Sequence, residues 1–167
     1  MECGPSVGGI NCAGDARKAG DAIEVAAALT GIVSTTIGLG PNGVVVSARL
    51  DAEDGAAEVI VAAGQDSLVV RRNARDLSFF LNATPISDSR LGDNHTGPVG
   101  MAIVVDEDGG ARVLFDAPVT LCTPPGSCLL PQAPTTLLNA STATVTISLE
   151  GGVASPVRVQ DLSFIVR

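Results

Sequence analysis

The chain has 167 residues, a length that predicts a single domain at roughly 100–200 residues per domain. Hydrophobic residues make up 46% of it, yet it contains no Trp, no Tyr and only four Phe, so aliphatic side chains must fill the core. The net charge is −8 and the cations are scattered, which argues against nucleic acid and anionic membranes as partners. No apolar stretch reaches the ~20 residues of a membrane span, so we predict no span.

The first 15 residues are predicted to form a flexible N-terminal arm, followed by one domain over residues 16–167. Four glycines and Pro5 interrupt any regular element in the arm. Val7 and Ile10 are the apolar side chains that can anchor it to another surface. The arm has neither the basic start nor the apolar centre of about 7–15 residues that a secretory signal needs. We therefore expect a chain that leaves the cell by lysis or another route, or a mature or recombinant chain.

Two regions of the chain have less regular patterns. Residues 22–39 fit neither the helical nor the strand period cleanly, and their Val, Ile and Thr favour strands over a helical turn. Residues 82–98 are rich in turn formers and are predicted to be a loop. An Asp-Gly turn after residues 101–105 predicts a hairpin with residues 111–115, which residues 118–122 would extend.

Short β-branched or aromatic segments, separated by Gly- or Asp-bearing turns, predict strands over most of the chain. Without alternating helices, so many short strands favour an all-β fold, an antiparallel β-sandwich of the jelly-roll type in which two sheets bury one core. The predicted strands cover residues 43–50, 58–62, 67–72, 76–81, 101–105, 111–115, 142–149 and 157–167.

The residues that catalysis requires are scarce. His95 is the only histidine, it lies in a predicted loop without a nucleophile motif, and it is interpreted as a solvated side chain. No glycine-rich phosphate loop is present. The absence of Trp and Tyr disfavours carbohydrate binding through ring stacking. The sequence therefore predicts a protein that is not an enzyme, with no catalytic residue, no bound metal and no cofactor.

Two acidic turns and three sequons are the remaining short motifs. Residues 51–55 and 106–110 each place three carboxylates and a glycine in a predicted turn. Carboxylates suit calcium, but neither turn has EF-hand spacing, and acidic turns that keep a β protein soluble are the commoner case. Asn82, Asn94 and Asn139 begin N-x-[ST] sequons, which we interpret as chance matches unless the chain meets a glycosylation system.

The four cysteines form two groups. Cys122 and Cys128 enclose a Pro-Pro-Gly turn, which favours a disulfide within that loop. Cys3 and Cys12 lie in the arm, where several uses remain open: a bond within the arm, a bond to another subunit, or idle thiols. A zinc site made from all four lacks the usual close pairing of ligands.

The glycine-rich arm ending Cys12-Ala-Gly, followed by short strands and by residues 67–72 leading into residues 76–81, resembles the subunits of bacterial endospore appendages of the Ena type. The resemblance covers residues 1–81. It implies a jelly-roll sandwich whose N-terminal connector reaches into neighbouring subunits of a resistant fibre. It also implies that Cys3 and Cys12 form disulfides between subunits.

Three functions are compatible with these features. The first is a structural subunit that self-assembles into an extracellular or spore-surface fibre, with another copy of the chain as its partner and the arm as connector. The second is a viral or phage jelly-roll capsid or decoration protein. The third is a secreted calcium- or ligand-binding β module. The first is the main expectation.

Overall fold

The computed structural model describes residues 9–92, 97–116, 119–123 and 133–167. Apart from one short 3₁₀ helix, Leu137–Asn139, the regular elements in these ranges are strands. They are β1 (Asn11–Gly14), β2 (Arg17–Ala19), β3 (Ala22–Val25), β4 (Thr30–Gly38), β5 (Gly43–Asp51), β6 (Ala56–Ala63), β7 (Asp66–Asn73), β8 (Asp76–Leu81), β9 (Thr84–Leu91), β10 (Val99–Asp106), β11 (Gly110–Phe115), β12 (Val119–Thr123), β13 (Ala133–Pro134), β14 (Thr142–Glu150) and β15 (Val157–Val166).

The strands form two antiparallel sheets. The eight-stranded sheet has the order β1-β4-β14-β6-β7-β8-β9-β12, and the seven-stranded sheet has the order β13-β11-β10-β5-β15-β3-β2. Side chains alternate between a buried inner face and a more exposed outer face along most strands, as in β4 and β14. This arrangement confirms the predicted all-β sandwich. Among the described residues no helix has the length and apolar character that a bilayer crossing demands.

Val, Ile, Leu and Ala side chains fill the space between the sheets, as the composition predicts. The exception is Phe79, which is 1% exposed and is the one fully buried aromatic side chain in the described part of the chain. A second, smaller cluster of Leu77, Leu91 and Val99 lies beside Phe115. One core therefore supports both sheets.

The structure confirms the strands predicted in residues 22–39, which form β3 and β4, and the hairpin of β10 and β11. It corrects the loop predicted over residues 82–98, because β9 pairs with β8 there. Thr, Pro, Ser, Asp and Arg dominate β9, and only two of its side chains are buried, so it lacks apolar alternation. It also corrects the predicted extension of the hairpin: β12 pairs with β9 in the other sheet.

The predicted boundary between arm and domain is also corrected. Residues 11–14 form β1, which pairs with β4 of the same chain. Ile10 and Cys12 pack against the core of their own chain, so the apolar anchor predicted at Ile10 is used internally. Residues 1–8, with Cys3 and Val7, lie outside the described residues, and the connector role assigned to them stays a prediction.

A line of alternating charges crosses four strands of the seven-stranded sheet. Arg17 and Arg158 each place a guanidinium nitrogen 2.9 Å from the carboxylate of Glu24, and Arg158 also lies 3.9 Å from Asp51. The Glu24 side chain is only 12% exposed. The hydrogen bond from Arg158 lowers the pKa of Glu24; desolvation opposes this effect, and the hydrogen bond from Arg17 adds to it.

This lowered pKa predicts a pH-dependent loss of stability. Because the folded-state pKa of Glu24 lies below its ordinary value of about 4.5, its contribution is complete above that pH and is lost as the pH falls through the folded-state pKa. In urea unfolding, Glu24→Gln should be less stable than the wild type at pH 7, and the difference should shrink below about pH 4.5. A difference that stays constant down to pH 3 would contradict the lowered pKa of Glu24. The control is Glu107→Gln, which changes a carboxylate in an exposed turn.

Candidate functional site

A depression of about 460 Å³ lies on the outer face of the eight-stranded sheet. It crosses the four adjacent strands β4, β14, β6 and β7, and the end of β1 also borders it. Its lining combines polar and charged residues with glycine and apolar residues, among them Ile32 and Leu149. The side chains that contribute to it include Thr30, Ile32, Glu58, Arg71, Ser148 and Glu150.

Strand alternation and a tight turn place its two central charges side by side. Glu58 on β6 and Arg71 on β7 point away from the core because their immediate neighbours in each strand are buried. The two-residue turn Gly64-Gln65, in which Gly64 has φ +60°, joins the two strands and fixes their register. Glu58 and Arg71 are directly opposite each other as a result, and Ser148 of β14 is opposite Glu58 on its other side.

Within the part of the chain that the structure describes, neither the Glu58 carboxylate nor the Arg71 guanidinium has a hydrogen-bond or ion-pair partner. By contrast, many arginines are engaged in ion pairs: Arg17, Arg49, Arg90, Arg112 and Arg158. The depression therefore presents a carboxylate that can accept hydrogen bonds and a guanidinium that can donate them.

Ile32 supplies an apolar wall at the β4 side of the depression, with 45% of its surface exposed. The groups around it can both donate and accept hydrogen bonds, so a ligand whose neighbouring hydroxyls do the same would match a carboxylate beside a guanidinium. Among the described residues no group of three or more His, Cys, Asp or Glu side chains is placed to hold a metal ion.

Most carboxylates of the two acidic turns have partners in the chain. Asp54 accepts a hydrogen bond from the Ala154 amide at 3.0 Å, which lowers the pKa of Asp54. Asp108 accepts one from the Gly110 amide at 2.9 Å, and Asp106 lies 3.4 Å from Arg112. These contacts hold the turns together, so the geometry favours structural carboxylates over the calcium sites considered from the sequence.

The structure describes only some of the other residues that the sequence analysis singled out. Asn82 has φ +51° in the turn between β8 and β9, and its side-chain oxygen accepts a hydrogen bond from the Ser67 amide at 2.7 Å. His95 and Asn94 lie outside the described residues. So do Cys128 and the side chain of Cys122, and the disulfide predicted between these two cysteines stays a prediction.

Cys12 is disulfide-bonded in the structure, which contains one chain. Its partner is not among the side chains that the structure describes. An intersubunit bond through Cys12 would therefore have to replace a bond within the chain by thiol–disulfide exchange. The predicted disulfides of Cys3 and Cys12 between subunits stay a prediction, and for Cys12 they require this exchange.

The sequence analysis did not identify Glu58, Arg71 or Ser148 as candidate residues. Each is an ordinary polar residue in a strand, and no short motif marks it. Alternation within residues 58–62 and 67–72 does predict that Glu58 and Arg71 share the outer face, and the Gly64-Gln65 turn predicts that they meet. The contribution of β14 had no comparable local indication.

No family model and no curated protein matches the sequence. Solved structures do match the fold. A carbohydrate-binding module, CBM66, from Bacillus subtilis has a TM-score of 0.62 and 7% identity over 93% of this chain and 94% of that one. The exoplasmic/lumenal domain of VIP36, in its Ca²⁺/Man3GlcNAc-bound form, has a TM-score of 0.60 and 11% identity over 92% and 84%.

A protein of unknown function with a galectin-like fold, also from Bacillus subtilis, has a TM-score of 0.56 and 10% identity over 95% of this chain and 90% of that one. At such low identities the likeness concerns the fold alone. The chain thus has the two-sheet sandwich fold that these galectin-like and carbohydrate-binding domains share.

Proposed function

We propose that this chain is a secreted, non-catalytic β module that binds carbohydrate in the depression on its eight-stranded sheet. The observation that carries the proposal is the pair Glu58 and Arg71, which are opposite each other in a depression and have no partner among the described residues. Support also comes from two similar structures, one described as a carbohydrate-binding module and one bound to Man3GlcNAc. These similarities favour the third hypothesis from the sequence, and none of them favours a fibre.

The proposed mode of binding does not need a Trp or Tyr ring. Arg71 donates to sugar hydroxyls, while Glu58 and Ser148 accept from them, and Ile32 packs against the C–H groups of the sugar. Hydrogen bonds with a charged partner contribute about 1.5–3 kcal/mol each. Two such groups and one apolar contact suffice for weak to moderate binding once the cost of immobilising the ligand is subtracted.

The experiment is a screen of the purified protein on an array of neutral glycans, followed by calorimetry on the glycans that bind. Arg71→Ala and Glu58→Gln should each weaken binding by roughly 10-fold to 100-fold, which corresponds to one charge-assisted hydrogen bond. Arg112→Ala, which removes an exposed arginine from the seven-stranded sheet, is the matched control and should bind like the wild type. Thermal unfolding of every variant checks that it folds.

Two results would contradict the proposal. One is a wild-type protein that binds no glycan on the array. The other is binding that Arg71→Ala and Glu58→Gln leave unchanged, which would place the ligand elsewhere on the molecule.

A further inference from the structure

The polar residues of the depression continue in a straight line beyond it. Strand register places five outward-facing side chains opposite one another on five neighbouring strands, β14, β6, β7, β8 and β9. At about 4.8 Å per strand this row is roughly 19 Å long. In spatial order the polar row consists of Ser148, Glu58, Arg71, Ser78 and Asp88.

An apolar row runs parallel to the polar row on the same face. Ile60, Val69 and Phe80 are opposite one another on β6, β7 and β8, two residues along each strand from the polar row and so about 7 Å from it. All three are partly exposed, because alternation turns them away from the core. The face therefore has an apolar strip beside a hydrogen-bonding strip.

The charge of the polar row restricts the ligand. Glu58 and Asp88 outnumber Arg71, Glu150 lies at the depression as well, and the whole chain has a net charge of −8. A polymer that carries carboxylates or sulfates would be repelled along most of the row. A neutral sugar chain meets no such repulsion, and its hydroxyls can pair with both kinds of charge.

We propose, on the basis of the function proposed above, that the ligand is an extended neutral oligosaccharide that lies across the strands, with its C–H faces on the apolar row and its hydroxyls toward the polar row. A sugar chain has this amphipathic character along its length. The depression then holds one end of the ligand, while Phe80, Ser78 and Asp88 contact sugars further along. Each added sugar makes new contacts until the row is covered, so affinity rises with chain length.

Calorimetry with linear neutral oligosaccharides of glucose, mannose and galactose, from disaccharide to hexasaccharide, tests this proposal. For the sugar that binds, the hexasaccharide should bind wild type at least tenfold more tightly than the disaccharide. Phe80→Ser should bring that ratio close to one, whereas Leu114→Ser, at an exposed apolar position on the seven-stranded sheet, should leave it unchanged. Galacturonate oligomers of the same lengths should bind more weakly than every neutral oligomer that binds.

The outcomes separate this proposal from the function on which it rests. Equal affinities for short and long oligosaccharides, or a ratio that Phe80→Ser does not alter, would overturn the extended site and leave carbohydrate binding in place. Tighter binding of galacturonate would overturn the neutral specificity. The absence of binding to every oligosaccharide of this series would overturn the extended site, and the absence of binding on the glycan array as well would overturn the proposed function itself.

Discussion

Phe79→Ala is expected to lower the free energy of unfolding by about 3–5 kcal/mol, the usual cost of truncating a fully buried phenylalanine. Phe79 is 1% exposed and lies on β8, opposite Val70 of β7 and Ser87 of β9. No other buried aromatic side chain in the described residues can fill the resulting cavity. Since domains are stable by about 5–15 kcal/mol, this one change removes a large part of the total.

Phe80→Ala is the matched control, because the neighbouring residue projects from the opposite face of the same strand. It should lower stability by clearly less than Phe79→Ala, because Phe80 is partly exposed, while weakening the proposed binding of long oligosaccharides. Chemical denaturation of both variants measures the difference. Equal destabilisation by the two truncations would show that the face assignment of β8 is wrong.

Arg72→Met is expected to lower the free energy of unfolding by about 2–5 kcal/mol. Arg72 is 1% exposed; its Nη1 donates to the Leu50 carbonyl in the other sheet at 2.5 Å, and its Nε donates to the Ala74 carbonyl at 2.9 Å. Burial lowers the pKa of Arg72, and the charge of Asp51 opposes that shift. Methionine keeps most of the apolar volume but leaves two carbonyls without their donors, at about 1–3 kcal/mol for each lost bond.

Arg71→Met provides the comparison, since Arg71 is exposed and has no protein partner within the described residues. Its effect on stability should stay within about 0.5 kcal/mol, although it should weaken the proposed glycan binding as Arg71→Ala does. In thermal unfolding, Arg72→Met should therefore show the larger loss of stability. In calorimetry, Arg71→Met should show the larger loss of glycan affinity. A stable Arg72→Met protein would mean that the inter-sheet hydrogen bond contributes little to the fold.

Much of the eight-stranded sheet could be predicted from the sequence. Two-residue turns after β6 and β7 set the register of consecutive strands, so the alignment of Glu58, Arg71 and Ser78 follows from local rules alone. The same alternation assigns one member of each doublet, Arg71-Arg72 and Phe79-Phe80, to each face. What local rules cannot supply is which sheet a strand joins when its partner is far away in the chain.

Two of the errors in prediction concern strands whose partners are far away in the chain. β12 follows β11 in sequence but pairs with β9, and β14 enters the sheet between β4 and β6. Short-range patterns do not encode either choice, because burial over the whole sandwich decides them. The prediction of a loop in place of β9 was wrong for another reason. Few side chains of β9 are buried, so its sequence lacks the apolar alternation that indicates a strand. The prediction of a flexible arm was wrong for β1. Pairing with β4 can order a glycine-rich segment that has little intrinsic preference for a strand.

The position of β14 between β4 and β6 has a consequence for when the protein acquires the proposed binding surface. Strands β6 to β9 are sequential neighbours, so their contacts are local and are expected to form early. β14 must cross from the far end of the chain, and its pairing with both β4 and β6 has a high loop-closure cost. A chain still emerging from the ribosome would hold Glu58 and Arg71 in place while Ser148 and Glu150 were not yet synthesised. The nascent protein would then bind sugars more weakly in the compartment where it is made, and the full proposed affinity would arise only after the last strands had joined the sandwich.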